Sequence, residues 1–176
     1  MEDTSVIATI RAGNADAFAG IVEHYQAPII RYLFRMTGDY ELARDLAQDT
    51  FVQAYKAILK TSSDLQLKAW LYRIATNNAL QLKRRNRIIS FISFEDRRKS
   101  QSKAENKIDP PDVLDIQQAL SGVPAEYRVC LILYFVEGFK YGEIGMTLGI
   151  SEEAVRKRVV RGKQAFRRAY GGGEEV

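Results

Sequence analysis

Apolar positions along the chain recur at spacings of three and four, and no useful length of period-two alternation occurs, so the pattern predicts helices and no strands. A short helix is predicted over residues 5–12, broken at Gly13-Asn14. A longer stripe starts near Asp16 and takes in Phe18, Ile21, Val22, Tyr25, Ile29, Ile30, Leu33 and Phe34. Pro28 has no N–H and its ring crowds the preceding turn, so it is expected to start a new segment or kink this helix. Thr37-Gly38-Asp39 stops the stripe: Gly38 suits the left-handed position after a helix, and Asp39 suits the N-cap of the next.

The helix predicted over about 40–60 has an inner face of Ala43, Leu46, Ala47, Thr50, Ala54, Ala57 and Ile58. Glu41, Asp45, Gln48, Asp49 and Val52 fall on or beside its outer face, with Phe51 and Tyr55 on the flank. An exposed acid and amide stripe bordered by aromatics is a docking surface for a basic protein element, or else an ordinary solvated face. Asp45 and Asp49 have the spacing of metal ligands, but no third ligand follows, so no metal site is expected.

Lys60 to Asp64 reads as a loop leading into a helix over about 70–87 that holds the only Trp and neither Gly nor Pro. One face carries Leu71, Ala75, Asn78, Ala79 and Leu82 and is expected to be buried. The other carries Trp70, Arg73, Asn77, Gln81 and Arg84, and the helix runs out through Lys83, Arg84, Arg85 and Arg87. An aromatic ring, amides and guanidiniums in one line offer single-stranded nucleic acid a stacking platform, base-edge partners and phosphate neutralisation. A solvated face with a basic end is the plainer alternative.

From Ser90 to Asp112 the composition turns charged and rich in Ser, Gln and Lys, ending in Pro110-Pro111, which marks a flexible linker. Residues 113–170 then show four helical patterns: Val113 to Leu120, a second from Pro124 to about Val136, Lys140 to Leu148, and a last one from about Glu152. The final pair flank Gly149-Ile150-Ser151, and the second of them is basic, which is the layout of a helix-turn-helix. In the last helix Val155, Val159, Gly162 and Phe166 form the inward seam, Ser151 is the N-cap, and Glu153, Lys157, Val160, Arg161 and Gln164 point outward with Arg156 beside them. Such a face suits the DNA major groove, where Arg or Lys reaches guanine, Gln reaches adenine and Val meets a thymine methyl.

The predicted architecture is therefore all-α: a helical domain over 1–89, a linker over 90–112, a four-helix domain over 113–170 and a disordered tail over 171–176. Composition fits this reading. The chain has 176 residues, 46% of them hydrophobic, and a net charge of +4, enough apolar content for one or two small cores. Its charge is unevenly placed, with eight Lys or Arg against three Glu between Lys140 and Tyr170, while Asp39 to Asp49 is acidic. An anionic polymer for the basic regions and a separate partner for the acidic one follow. Cys130 lies in the run Val129 to Leu133 and is read as core filler in a reducing, cytoplasmic setting; His24 is read as a surface residue. No signal peptide, membrane-spanning run, Gly-rich phosphate loop, paired Cys or catalytic triad is found, so neither enzymatic activity nor a bound cofactor is expected.

Several segments together, in order, resemble bacterial RNA polymerase sigma factors of the extracytoplasmic-function type. They are Asp45 to Tyr55, Ala69 to Asn78 with its basic tail, Val123 to Arg128, Gly138 to Ile144 and Leu148 to Arg158. The resemblance implies a promoter-specificity subunit. Its partners would be core polymerase (through the coiled coil of the largest subunit and the flap), promoter DNA in double- and single-stranded form, and an anti-sigma factor. It implies core docking through Asp45, Gln48, Asp49 and Phe51. It implies −10 element opening and reading through Trp70, Arg73, Asn77, Arg84 and Arg85, with a base pocket formed by Asn77 and the loop Lys60 to Leu67. It implies −35 reading through Arg156, Lys157, Val160 and Arg161. Gly145-Met146 and Gly162 stand where the family has Ala-rich sequence, and are expected either to permit close packing or to loosen their helices. A stand-alone helix-turn-helix regulator is the alternative; it leaves the acidic stripe and the Trp70 face without a role.

Overall fold

The computed structural model describes residues 3–14, 16–61, 65–90 and 111–171. These residues form eight α-helices and one π-helical turn. The first bundle comprises α1 (Asp3–Arg11), α2 (Ala17–Thr37), α3 (Tyr40–Ile58) and α4 (Leu67–Ser90). The second comprises α5 (Pro111–Ser121), α6 (Ala125–Leu131) with the π-helical turn Ile132–Val136, α7 (Tyr141–Leu148) and α8 (Glu152–Gly171). The greater part of the predicted linker, and the tail beyond Gly171, lie outside the described residues.

Local chemistry sets the helix ends. Gly38 takes φ 77° and donates its N–H to Phe34 O at 2.8 Å, while the Asp39 carboxylate accepts from Leu42 N at 3.0 Å, so two helix ends are closed within two residues. Pro28 does not start a new segment: α2 runs from Ala17 to Thr37 with Pro28 inside it. Its lost hydrogen bond would have gone to His24, which is exposed, so water can satisfy that carbonyl while Ile29, Tyr32 and Leu33 beyond it are fully buried and hold the helix in place.

The α2, α3 and α4 core is closed by Ile21, Leu33, Ala43, Leu46, Ala54, Ile58, Leu71 and Ala75. The Tyr32 hydroxyl meets Thr76 Oγ1 at 2.6 Å within it. Phe51, expected on the flank of α3, is only 7% exposed. It is a core side chain, because its ring falls on the same side as Ala47 and Ala54, where small neighbours leave room. The helix predicted to run evenly to Val136 changes register instead: Glu137 N bonds to Ile132 O at 3.0 Å and Phe139 N to Leu133 O at 2.9 Å, widening the last turn and swinging the Phe139 ring inward. Cys130 is buried beneath this turn, and burial pushes its thiol up to about 11, consistent with core filler rather than a reactive group.

The two unusual glycines both allow close packing. At Gly162 a Cβ would lie 2.9 Å from Leu131 Cγ, so its absence lets α8 settle on α6. At Gly145 a Cβ would lie 2.7 Å from the carbonyl oxygen of Ile150, which is backbone and cannot swing aside. Gly145→Ala is therefore expected to lower stability by about 1–3 kcal/mol, overriding the helix propensity gain of up to about 1 kcal/mol. Urea unfolding followed by circular dichroism measures this, and an unchanged or raised midpoint would show that the turn yields.

Candidate nucleic-acid interface

Three exposed faces emerge from this packing. On α3, Asp45, Gln48, Asp49 and Val52 are exposed, while Ala43, Leu46, Ala47 and Thr50 anchor the helix from behind. Among the described residues no ion pair engages Asp45 or Asp49, although Arg44 pairs with Glu41 at 3.4 Å one turn away. The acidic stripe is thus presented to solvent with its carboxylates uncommitted to neighbouring cations. Phe51 lies behind it in the core and is not part of the surface.

On α4, Arg73, Asn77 and Gln81 are exposed and Trp70 is half-buried, its ring packed against the core edge. A ring held on one side and open on the other is a fixed stacking platform, since little side-chain freedom is lost when a base lands on it. Arg84 and Arg85 lie on the last turns of α4; their side chains are outside the described residues, as are residues 62–64 of the loop expected to complete a base pocket. Asn78, expected in the buried stripe, is half-buried instead and bridges two helices. Its Nδ2 donates to Thr50 Oγ1 at 3.2 Å and its Oδ1 accepts from Gln53 Nε2 at 3.0 Å. The acidic face of α3 and the aromatic face of α4 are thereby fixed to one another.

The third face is on α8. The turn before it is shaped by Gly149 at φ 68° and by Ser151, whose Oγ accepts from Ala154 N at 3.1 Å. Val155, Val159 and Gly162 are buried, while Arg156, Lys157, Val160, Arg161 and Gln164 are exposed. Phe166 is half-buried at the end of the seam. Two of the outward cations are held on their own helix: Lys157 Nζ lies 2.7 Å from Glu153 Oε1 and Arg156 Nη2 lies 3.5 Å from Glu152 Oε1. Arg156 also sits over the Tyr141 ring, 5.6 Å from its centroid. Such exposed pairs are worth little and orient the side chains without committing them. Arg161 has no ion pair among the described residues.

Reading for chemistry alone overlooked six side chains that the fold brings into contact. Tyr72 and Lys68 of α4 meet Glu137 and Phe139 from the turn before α7. Arg128 and Gln117 reach across to the end of α2. The signal available in sequence was a large aromatic, Phe139, placed in a turn, and an Arg, Arg128, set in an apolar run. His24 is exposed, its ring edge-on to Tyr25 at 4.7 Å.

Comparison with known proteins settles the family. The model described as "Sigma-70 region 2" matches residues 21–88, and that described as "Sigma-70, region 4" matches residues 114–166. The ECF RNA polymerase sigma factor SigW of Bacillus subtilis is 30% identical over 174 residues, covering 92% of this chain and 93% of that protein. The chain belongs to the ECF sigma factors. The RNA polymerase sigma-H factor of Pseudomonas aeruginosa is 28% identical, covering 96% of this chain and 93% of that protein. Two solved structures share the fold. The sigma factor RpoE from Bartonella quintana, in complex with the anti-sigma factor NepR, has a TM-score of 0.76 at 21% identity, covering 88% of this chain and 96% of that one. CnrH, in complex with the cytosolic domain of CnrY, has a TM-score of 0.74 at 22% identity, covering 98% of this chain and 99% of that one. As a sigma factor the chain directs RNA polymerase to promoters. Among its described residues no helix is long and apolar enough to cross a membrane.

Proposed function

We propose that the sigma factor divides its work among the three exposed faces: α3 docks on core polymerase, α8 reads the −35 element as duplex, and α4 captures the opened −10 strand. The observation that supports this most directly is on α8, where the helix-turn-helix keeps Arg156, Lys157, Val160 and Arg161 in water and buries the opposite edge of the same helix. Those groups supply the guanine and phosphate contacts and the thymine-methyl contact that major-groove reading needs. Asp45, Gln48 and Asp49 form the polymerase contact, with Phe51 holding α3 rigid from inside. Trp70 stacks on an unpaired base, Arg73 and Asn77 bind its phosphate and edge, and Arg84 and Arg85 extend the track. The factor works in the cytoplasm with no catalytic group of its own. An anti-sigma factor restrains it, a proposal supported by the bound NepR in the solved RpoE relative.

The test is to combine the purified chain with bacterial core polymerase and genomic DNA fragments, and to sequence the transcripts. Position-specific starts are expected only when the chain is present; tight duplex binding with no polymerase dependence would favour a stand-alone regulator. Lys157→Ala and Arg161→Ala should each weaken binding to the preferred −35 duplex about tenfold, with Lys157 first leaving its Glu153 partner. Selection of bound sequences from a random −35 library measures the effect, and an unshifted consensus would refute direct reading by this face.

A further inference from the structure

Helix α3 ends without a left-handed glycine. Its cap, Leu59, keeps a right-handed helical backbone at φ −67°, and the chain turns on through Lys60 N to Ala57 O at 2.9 Å and Thr61 N to Ile58 O at 3.3 Å. Nothing in that backbone alone stops a further helical turn. What holds the chain at this point comes from α1. Arg11 donates through Nη2 to the Thr61 carbonyl, and the same nitrogen lies 3.4 Å from Thr61 Oγ1. The Thr61 hydroxyl is itself turned back, donating to Ile58 O at 2.7 Å. Helix α1 is fixed for this by Ile7 and Ile10, both buried, and packs on α2.

A surface cation at this place would do no more than neutralise the negative end of α3. Arg11 differs from that in two respects. Both of its contacts are with Thr61, the first residue beyond the turn that ends α3, and not with the carbonyls of the last helical turn. Its Nε is buried with no hydrogen-bond partner, a cost that an apolar side chain in the same space would not carry. Among the described residues no ion pair engages Arg11 to offset that cost. The packing of α1 is therefore served by the stem of the side chain, and the guanidinium serves Thr61.

The connection that leaves Thr61 arrives on α4. There Leu67 is 1% exposed, Leu65 is half-buried against the core, and Trp70 N donates to Gln66 O at 3.0 Å. The path from α3 to α4 is thus held at both feet, at one by a guanidinium from α1 and at the other by apolar packing beside Trp70. A connection held at both feet loses less freedom when a ligand orders it, so more of the contact energy appears as affinity and selectivity. We infer that Arg11 is a positioning residue for −10 reading: by anchoring Thr61 it sets the foot of the connection that runs into the Trp70 face of α4, and so sharpens discrimination among unpaired bases without itself contacting one, an inference that rests on assigning that face to the opened −10 strand.

Arg11→Met separates this role from mere support. It keeps an unbranched stem, removes the unpaired buried nitrogen and removes the donor to Thr61. The urea midpoint of the full chain is expected to hold or rise. With core polymerase bound, affinity for a fluorescent single strand carrying the −10 element from upstream of a mapped start should fall about tenfold, and preference over strands with one base changed should shrink by roughly threefold or more. Binding of −35 duplex, which α8 governs, should stay within about twofold of the parent. Arg11→Lys, which keeps a cation in reach of the carbonyl, should recover part of the lost preference. Amide exchange at Thr61, followed by NMR on the chain alone, should quicken about tenfold in Arg11→Met and reports the anchor independently of DNA. Unchanged preference among bases in Arg11→Met overturns the positioning role, and unchanged Thr61 exchange overturns the anchor. Equal loss of −35 and −10 binding makes Arg11 a general support and overturns the positioning role as well. Trp70→Ala and Asn77→Ala are measured alongside: if they too leave single-strand binding untouched, the assignment of α4 is what fails, and Thr61 exchange still judges the anchor.

Discussion

Arg128→Ala is expected to lower the stability of the sigma factor by about 3 kcal/mol, the largest loss from any single polar side chain here. Arg128 is 6% exposed and makes no ion pair among the described residues. It donates instead to three backbone carbonyls: Met36 at 2.7 Å, Ser121 at 2.7 Å and Val123 at 2.9 Å. Burial pulls its pKa down from the usual arginine value, so the charged form is held at a cost that these acceptors must offset. Two of the three come from helix ends, where carbonyls have lost their in-helix partners and the dipole is negative, which is where a buried cation is best tolerated. Truncation leaves all three acceptors without a donor in a space too apolar to hydrate freely. Arg128→Lys should recover less than half the loss, because a single ammonium cannot match a planar fork with three separate targets. Urea unfolding of the full chain gives the comparison, and a loss below 1 kcal/mol for the alanine variant would mean that water replaces the guanidinium without penalty.

The same residue shows where sequence reading stopped. Helix placement, the Gly38 and Asp39 caps, the Ser151 cap and the buried seam of Val155, Val159 and Gly162 were legible because each depends on neighbours within about one turn. The exposure of Asp45, Asp49, Lys157 and Arg161 followed from the same periodicity. Pro28 starts no new segment because buried side chains on both sides of it, Ile21 and Ile29 among them, keep one helix in place against a local penalty. Phe51 was placed on the flank, but a ring at the edge of a stripe can turn inward when its neighbours Ala47 and Ala54 are small. The π-helical turn, and with it the meeting of Glu137 with Tyr72, depends on five-residue hydrogen bonds and on contacts 65 positions apart, which no local pattern encodes.

Charge reversal of the acidic stripe is expected to remove polymerase binding while leaving the fold intact. Asp45→Arg with Asp49→Arg exchanges two exposed carboxylates for two cations at spacing i, i+4. The native pair already repels along the helix by a few tenths of a kcal/mol, and the variant pair does the same, so unfolding midpoints should stay within about 0.5 kcal/mol of the parent. No ion pair among the described residues is broken. At a docking surface the outcome differs, because each reversed charge now faces a basic partner at close range, and like-charge juxtaposition costs several kcal/mol. A loss of at least 100-fold in affinity for core polymerase is expected, equivalent to about 3 kcal/mol. The parent affinity should also weaken as salt rises, as attraction across a largely exposed charged surface must. Phe51→Ala provides the contrast: it should weaken polymerase binding only in step with a core-truncation loss of about 3 kcal/mol in stability, since its ring supports the stripe from behind. Fluorescence anisotropy of the labelled sigma factor against core polymerase, with unfolding midpoints measured on the same preparations, separates the two effects. A double-reversal variant that binds as the parent does would move the polymerase contact off α3.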